Sequence, residues 1–294
     1  MLAILTTELI LQDYVGFRLN GRTGYDIATE LRGLRMKPDE KYVTTLEEAI
    51  HVLMDLRDKK FFSFRGQRNQ EWPLGIHHPP DITEPDLQEG LAQFRKRCME
   101  FPSPDYLGER EHWRWLFFAQ HYRLRTRLLD WTTNPLVALY FAVENILTDH
   151  TIVKMNPCGA VWALRVHRKD FRSERELPKN PRKQERWIMI NPPLVTSRLL
   201  RQSGKFSYHP NGNDDPLDSD KIEKRHRRET LVKVIIGNPS NPDPELADDI
   251  RERLGIMNVH HASLFPDPEG VALFINEQWR AITTQKPKNK RKTR

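Results

Sequence analysis

The sequence predicts an α+β domain with a mixed, mainly antiparallel β-sheet core flanked by helices. Three observations predict it. Short β-branched or aromatic runs, bounded by Gly, Pro, Asn or Asp, recur between Phe61 and Ile236. Amphipathic runs with apolar residues three and four positions apart stand between the earlier ones. The order is helix, strand, helices, strand, helix and then mostly strands, which departs from the strict alternation of a parallel α/β fold.

Each element has its own signal. In residues 1–43, Gly16, Gly21, Gly24 and Gly33 interrupt any long element, so this segment reads as an N-terminal extension. A capping box at Thr45-Leu46-Glu47-Glu48 starts a helix whose apolar face is Leu46, Ala49, Ile50, Leu53 and Leu56, and Lys59-Lys60 closes it. Phe61 to Gln67 reads as a buried strand ending in a polar loop. Four prolines from Pro73 to Pro85 hold the next stretch irregular, and helical spacing resumes from Leu87 to Met99 and from Gly108 to about Gln120. Thr126 to Trp131 reads as a strand, and Asn134-Pro135 is a helix start opening an almost wholly apolar helix, Leu136 to Leu147. Gly159 to Val166, Trp187 to Ile190, Lys205 to His209 and Leu231 to Ile236 read as strands. Pro244 to Leu254 reads as the last amphipathic helix, stopped by Gly255. The domain accordingly spans residues 44–282, followed by a basic tail, 283–294.

Composition narrows the function classes. The chain has 294 residues, 38% hydrophobic, with a mean hydropathy of −0.69 and no apolar run long enough for a membrane span. Its apolar opening, Met1 to Leu5, lacks a basic region and soon meets Glu8, so it makes a poor signal peptide and the expected location is cytoplasmic. Cys98 and Cys158 stand alone, without metal spacing, and read as buried thiols. His77-His78 and His260-His261 lack acidic or cysteine neighbours at metal spacing and read as surface histidines, so no metal site is expected. Of the net charge of +7, six charges come from Lys286, Lys288, Lys290, Arg291, Lys292 and Arg294, and removing them leaves about +1. The basicity is local. With a second cluster from Lys221 to Arg228, and with Arg123, Arg125 and Arg127, it would suit contact with RNA or DNA; a solvated end and loop is the plainer account.

The densest chemistry lies between Gln120 and Ala142. Arg127 and Asp130 sit where a core strand wants apolar side chains, either as a structural ion pair or as site residues. His121 suits a general base or a satisfied helix-end histidine, and Arg65, at a strand edge, suits a ligand grip or a pairing with an acid.

Phe64-Arg65-Gly66, Gln120-His121-Tyr122, Thr126-Arg127-Leu128-Leu129-Asp130-Trp131-Thr132 and Asn134-Pro135-Leu136 with Ala138 resemble the FRG domain family. Pro192-Pro193, Arg198, Gln202, Gly204 and Phe206, then Leu264 to Asp267 with Gly270, extend the resemblance over about residues 45–275. The family usually has Gly and Pro where this chain has Arg123 and Arg125, and a second Gln where it has Ser203. The element order is in turn similar to that of arginine-type ADP-ribosyltransferases, in which an aromatic-Arg-Gly strand, a Ser/Thr motif running into a helix and a later glutamate build the site. That resemblance implies an ADP-ribosyltransferase-like fold and an enzyme of toxin or phage-defence type that transfers ADP-ribose from NAD to a macromolecule. RNA or DNA is favoured over protein as acceptor, and an antitoxin or chaperone is a further expected kind of partner. The alternative is a non-catalytic nucleotide- or nucleic-acid-binding module.

The chemistry assigns expected roles. Breaking the glycosidic bond of NAD passes through an oxocarbenium-like state, which calls for cations on the diphosphate and a carboxylate near the ribose. Arg65 and Gly66, with Arg127, Thr132 and Thr133, are the expected NAD-binding residues, and Asp130 and His121 are expected catalytic ones. The glutamate is missing where the order places it, because the stretch from Trp187 to Phe206 contains no Asp or Glu. Gln202 is the expected occupant of that position and Glu269 the expected acid.

Overall fold

The computed structural model describes residues 39–60, 62–76, 83–101, 112–144, 146–148, 151–153, 158–192, 196–210, 231–243 and 245–285. Residues 286–294 of the basic tail, the Lys221 to Arg228 cluster and His77-His78 lie outside them, and residues 283–285 continue the last helix. In chain order the elements are β1 (Asp39–Val43), α1 (Leu46–Asp58), β2 (Ser63–Gln67), α2 (Glu84–Cys98), α3 (His112–His121), β3 (Leu128–Thr132), α4 (Pro135–Val143), the hairpin β4 (Ile146–Thr148) and β5 (Thr151–Val153), and β6 (Gly159–Leu164). There follow β7 (Phe171–Arg172), β8 (Ile188–Ile190), α5 (Ser197–Arg201), β9 (Gly204–Tyr208), β10 (Leu231–Ile236), α6 (Leu246–Ile256), α7 (His261–Leu264) and α8 (Pro268–Gln285).

Eight strands form one open sheet in the order β1-β10-β6-β2-β3-β9-β8-β7. It is mainly antiparallel, with parallel pairing only of β1 with β10 and of β7 with β8. This is the expected mixed α+β core. Most neighbours share full ladders: β6 pairs with β2 from Ser63↔Leu164 to Gln67↔Ala160, and β3 with β9 from Leu128↔Tyr208 to Thr132↔Gly204. Between β2 and β3 only Phe64↔Thr132 is paired. The sheet therefore splits along its middle.

Local chemistry explains the elements beside the split. Thr45 caps α1, its Oγ1 accepting from the Glu48 amide at 3.2 Å, while the Glu48 carboxylate accepts from the Thr44 amide at 2.7 Å. Asn134 caps α4 through the Leu136 amide at 3.0 Å, with Pro135 at the first helical position. Helix α4 is apolar on nearly every side because it is buried between the sheet and helices α1 and α6, where Val137, Leu139 and Tyr140 meet Leu53, Val161 and Ile250. It lies unusually close to β2 and β6. A Cβ at Gly66 would sit 2.0 Å from the Ala138 carbonyl oxygen, and one at Gly159 would sit 2.0 Å from that of Ala142. Both positions admit only glycine for that reason.

Several boundaries differ from expectation. Strand β1 falls inside the stretch read as an N-terminal extension; its sequence, Asp-Glu-Lys-Tyr-Val, is charged because it is an edge strand with little to bury. Helix α4 stops at Val143 rather than Leu147, because Glu144 turns to extended backbone (φ −63°, ψ 135°) and the chain enters the β4–β5 hairpin. Helix α6 runs through Gly255 and ends at Ile256, with Met257 as its cap and Asn258 following in the left-handed region (φ 60°). It is not the last helix. Asp267, whose carboxylate accepts from the Gly270 amide at 2.7 Å, and Pro268 start α8 by the same kind of signal that starts α4.

Candidate active-site cleft

Two diverging strands leave a gap between them, and the gap between β2 and β3 is a cleft of about 560 Å³. That volume is in the range of roughly 300–1,000 Å³ common to small-molecule sites. Arg65 and Gly66 of β2 line one lip and Asp130 and Thr132 of β3 the other. The loop after α3 adds Arg123 and Arg125, and Arg68, Glu144, Arg198 and Gln202 complete the wall. Five arginines against two carboxylates make it a site for an anion.

Arg65 spans the split. Its Nη1 donates to the Asp130 carbonyl oxygen at 2.8 Å, a bond between strands whose ladder has opened. Its Nε is buried with no hydrogen-bond partner among the described residues. Burial lowers the guanidinium pKa, and the nearby Asp130 charge opposes that shift. A buried, unused donor on a permanent cation is what an anionic ligand would satisfy.

Asp130 keeps its carboxylate exposed to the cleft and is oriented from behind. Gln120 Nε2 donates to Asp130 Oδ2 at 2.8 Å, Thr126 Oγ1 donates to Gln120 Oε1 at 2.6 Å, and the Leu128 amide donates to Thr126 Oγ1 at 3.0 Å. The strand start, the helix end and the carboxylate are thus one connected set. Arg127, expected beside it, instead lines a separate cavity on the far side of the Arg125–Thr126 segment. Three residues apart along an extended chain, side chains point to opposite faces.

The cleft also holds a carboxylate that the sequence argument passed over, Glu144. It sits in the cleft wall with its side chain 14% exposed, 3.5 Å from Arg68 Nη1 and 3.7 Å from His261 Nδ1. Burial pushes its pKa up to about 7, against the pull of Arg68 and with the help of the Glu277 charge. His261 Nδ1 also lies 3.2 Å from the Tyr140 hydroxyl, and its ring stacks on Phe265 at 4.4 Å. Burial lowers the His261 pKa, so this ring is a half-buried neutral imidazole and not the surface histidine expected. One signal pointed to Glu144: it is the first charge after nine apolar residues. Extending the helix to Leu147 concealed it.

The remaining expected residues divide. Gln202 lines the cleft, but its Nε2 donates to the Leu264 carbonyl oxygen at 3.2 Å and so tethers α7. Thr132 also lines it, with its hydroxyl donating to the Gln202 carbonyl at 2.6 Å, while Thr133 holds the Ser203 carbonyl through its amide at 3.0 Å. Both threonines tie β3 to the turn before β9. His121 lies in a small recess shared with Asp130, Arg198 and Gln202, where burial and then Arg198 lower its pKa. Glu269 is exposed in the first turn of α8 and does not line the cleft. Cys158 is buried as expected, whereas Cys98 is only partly so.

Residues 60–151 match the FRG domain family. This FRG segment contains Arg65, Gln120, Asp130 and Glu144, while Arg198 and Gln202 reach the same cleft from outside it. No curated protein and no solved structure matches the chain. Of the three expected departures from the family pattern, Arg123 and Arg125 line the cleft, and Arg123 and Ser203 have positive φ, 64° and 49°. An arginine in that region stores of order 1 kcal/mol of strain, and here it places a cation on the cleft. Among the described residues no group of His, Cys, Asp and Glu could hold a metal, and no helix is long and apolar enough to cross a membrane.

Proposed function

We propose that the cleft binds NAD and that the chain transfers its ADP-ribose to a macromolecular acceptor, RNA or DNA ahead of protein. One observation carries the reading: Arg65 and Glu144 line the same cleft, which opens where the sheet splits. Arg65, with Arg68, Arg123 and Arg198 around it, would neutralise the diphosphate. Glu144 would stand at the ribose.

The step balances simply. The bond between C1′ and the nicotinamide nitrogen breaks with its electron pair going to nicotinamide, a nucleophilic atom of the acceptor bonds to C1′, and the acceptor's proton leaves to a base. An ionised Glu144 stabilises the cationic sugar, which only the deprotonated form can do. Because its pKa is raised to about 7, turnover should rise with pH through about 7 and level off above. His121, whose pKa burial lowers and which shares a neighbouring recess with Asp130, would take the acceptor proton.

The test is nicotinamide release from NAD, with NAD binding measured separately by calorimetry. Arg65→Ala should weaken NAD binding by roughly 30–150-fold, the worth of a lost charge-assisted contact of about 2–3 kcal/mol. Glu144→Gln should bind NAD and lose roughly 10²–10³ in turnover. Binding of NAD by the wild type with no release of nicotinamide, at any pH from 6 to 9 and with RNA or protein lysate present, would instead make this a non-catalytic nucleotide-binding module.

A further inference from the structure

A second cavity, about 460 Å³, opens between α2, α3 and the residues leading into β3. Its cations are Arg95, Arg125, Arg127 and Arg182, with His112 beside them, against a single acid, Glu89. The rest of its lining includes the apolar side chains Pro85, Leu87, Leu91 and Pro181 and the rings of His112 and Tyr208. Arg125 and Thr126 line this cavity and the NAD cleft alike, so the two are neighbours separated by one stretch of backbone.

We propose that this cavity is the seat of the acceptor strand, holding a nucleotide of a single-stranded nucleic acid whose neighbour is presented to the cleft. The reasoning is chemical. A nucleotide suits this lining, because it brings an anion for the arginines and a weakly polar body for the apolar side chains within one small volume. The arginines take the phosphate by their planar forks, and the proline and leucine walls cover a base. Arg182 is exposed at the rim, within reach of an entering strand, with its Nη1 donating to Gln88 Oε1 at 3.1 Å. The identity of the strand as an acceptor rests on the transferase reading; the cavity as a strand-binding site does not.

The experiment is fluorescence anisotropy of the full chain with a labelled 12-nucleotide single strand, titrated at several salt concentrations. Each phosphate contact on a single strand contributes roughly 0.7 to the salt slope, so Arg95→Gln with Arg182→Gln should lower the slope by about 1.4 and the affinity at 0.1 M salt by about 25-fold. Arg182→Gln alone, at an exposed position, should give about 5-fold and guards against a folding defect in the pair. Lys60→Gln with Arg168→Gln removes two exposed charges outside the cavity and serves as the control. An effect of the cavity pair within about three-fold of that control would overturn the proposal. So would an acidic peptide that displaces the strand from the wild type and loses its hold on the variant, because the cavity would then serve a protein. NAD binding and release of nicotinamide into water should be unchanged in the cavity variants. If the wild type releases no nicotinamide, the transferase reading fails while the strand result still decides the cavity.

Discussion

Glu144→Gln should make the protein more stable at alkaline pH. The carboxyl is buried where its charge is only partly compensated, so its pKa stands at about 7 in the fold against an ordinary 4.5. A group whose pKa is raised on folding binds more protons in the native state than in the unfolded one between those two values. Stability therefore falls as pH rises from about 4.5 to about 7, and the penalty is complete above. The difference, at roughly 1.36 kcal/mol per pH unit, sets a ceiling of about 3.4 kcal/mol, and at pH 5 less than about 1 kcal/mol of it has developed. Glutamine keeps the volume and removes the ionisation. The variant should melt roughly 5–8 °C above wild type at pH 8, with a gap that closes towards pH 5, read by calorimetric or circular-dichroism melts at both pH values. A Tm difference that is the same at both pH values, or a variant less stable than wild type at pH 8, would refute the reasoning. Paired with lost turnover, the expected result would mark Glu144 as a residue held against the stability of the fold.

Two further outcomes separate packing from chemistry. Gly66→Ala should destabilise by about 3 kcal/mol or more, since its new methyl would meet the Ala138 carbonyl at 2.0 Å and the Ala142 amide at 2.6 Å, both backbone atoms of α4. A denaturant melt within 1 kcal/mol of wild type would show that α4 can withdraw. Glu269→Gln should leave nicotinamide release within two-fold of wild type, because Glu269 is exposed and outside the cleft; a 100-fold loss would restore it as the acid.

The sheet was legible because strand signals are local: six of its strands begin and end within about two residues of where β-branched runs and turn residues place them. The lips of the cleft were legible for a related reason, since Arg65 and Asp130 are charges set in otherwise apolar strands. Glu144 was hidden because its place in the cleft wall depends on α4 ending one residue before it, and helix ends are the least determined feature of an apolar run that lacks a C-terminal glycine. The bonds of Thr132 and Thr133 were not legible for a different reason: the resemblance implies that they meet a ligand, and their hydroxyls meet a backbone segment some seventy residues away that only the folded chain brings near. The placement of β1 was equally non-local, because a short charged strand becomes a strand by pairing with β10.

The split in the sheet has a bearing on where this chain can be cut. One half contains β1, β10, β6 and β2, the other β3, β9, β8 and β7, and the backbone passes from one half to the other between β2 and β3, β3 and β6, β6 and β7, and β9 and β10. Neither half is a continuous stretch of sequence. The segment bearing the family signature, residues 60–151, holds β2 and β3 without β6 and β9, the strands that pair with them. Expressed alone it would carry the signature residues on two strands joined by a single rung, with nothing to fix their separation. The signature marks the walls of the cleft, and the spacing of those walls is set by chain that lies beyond it.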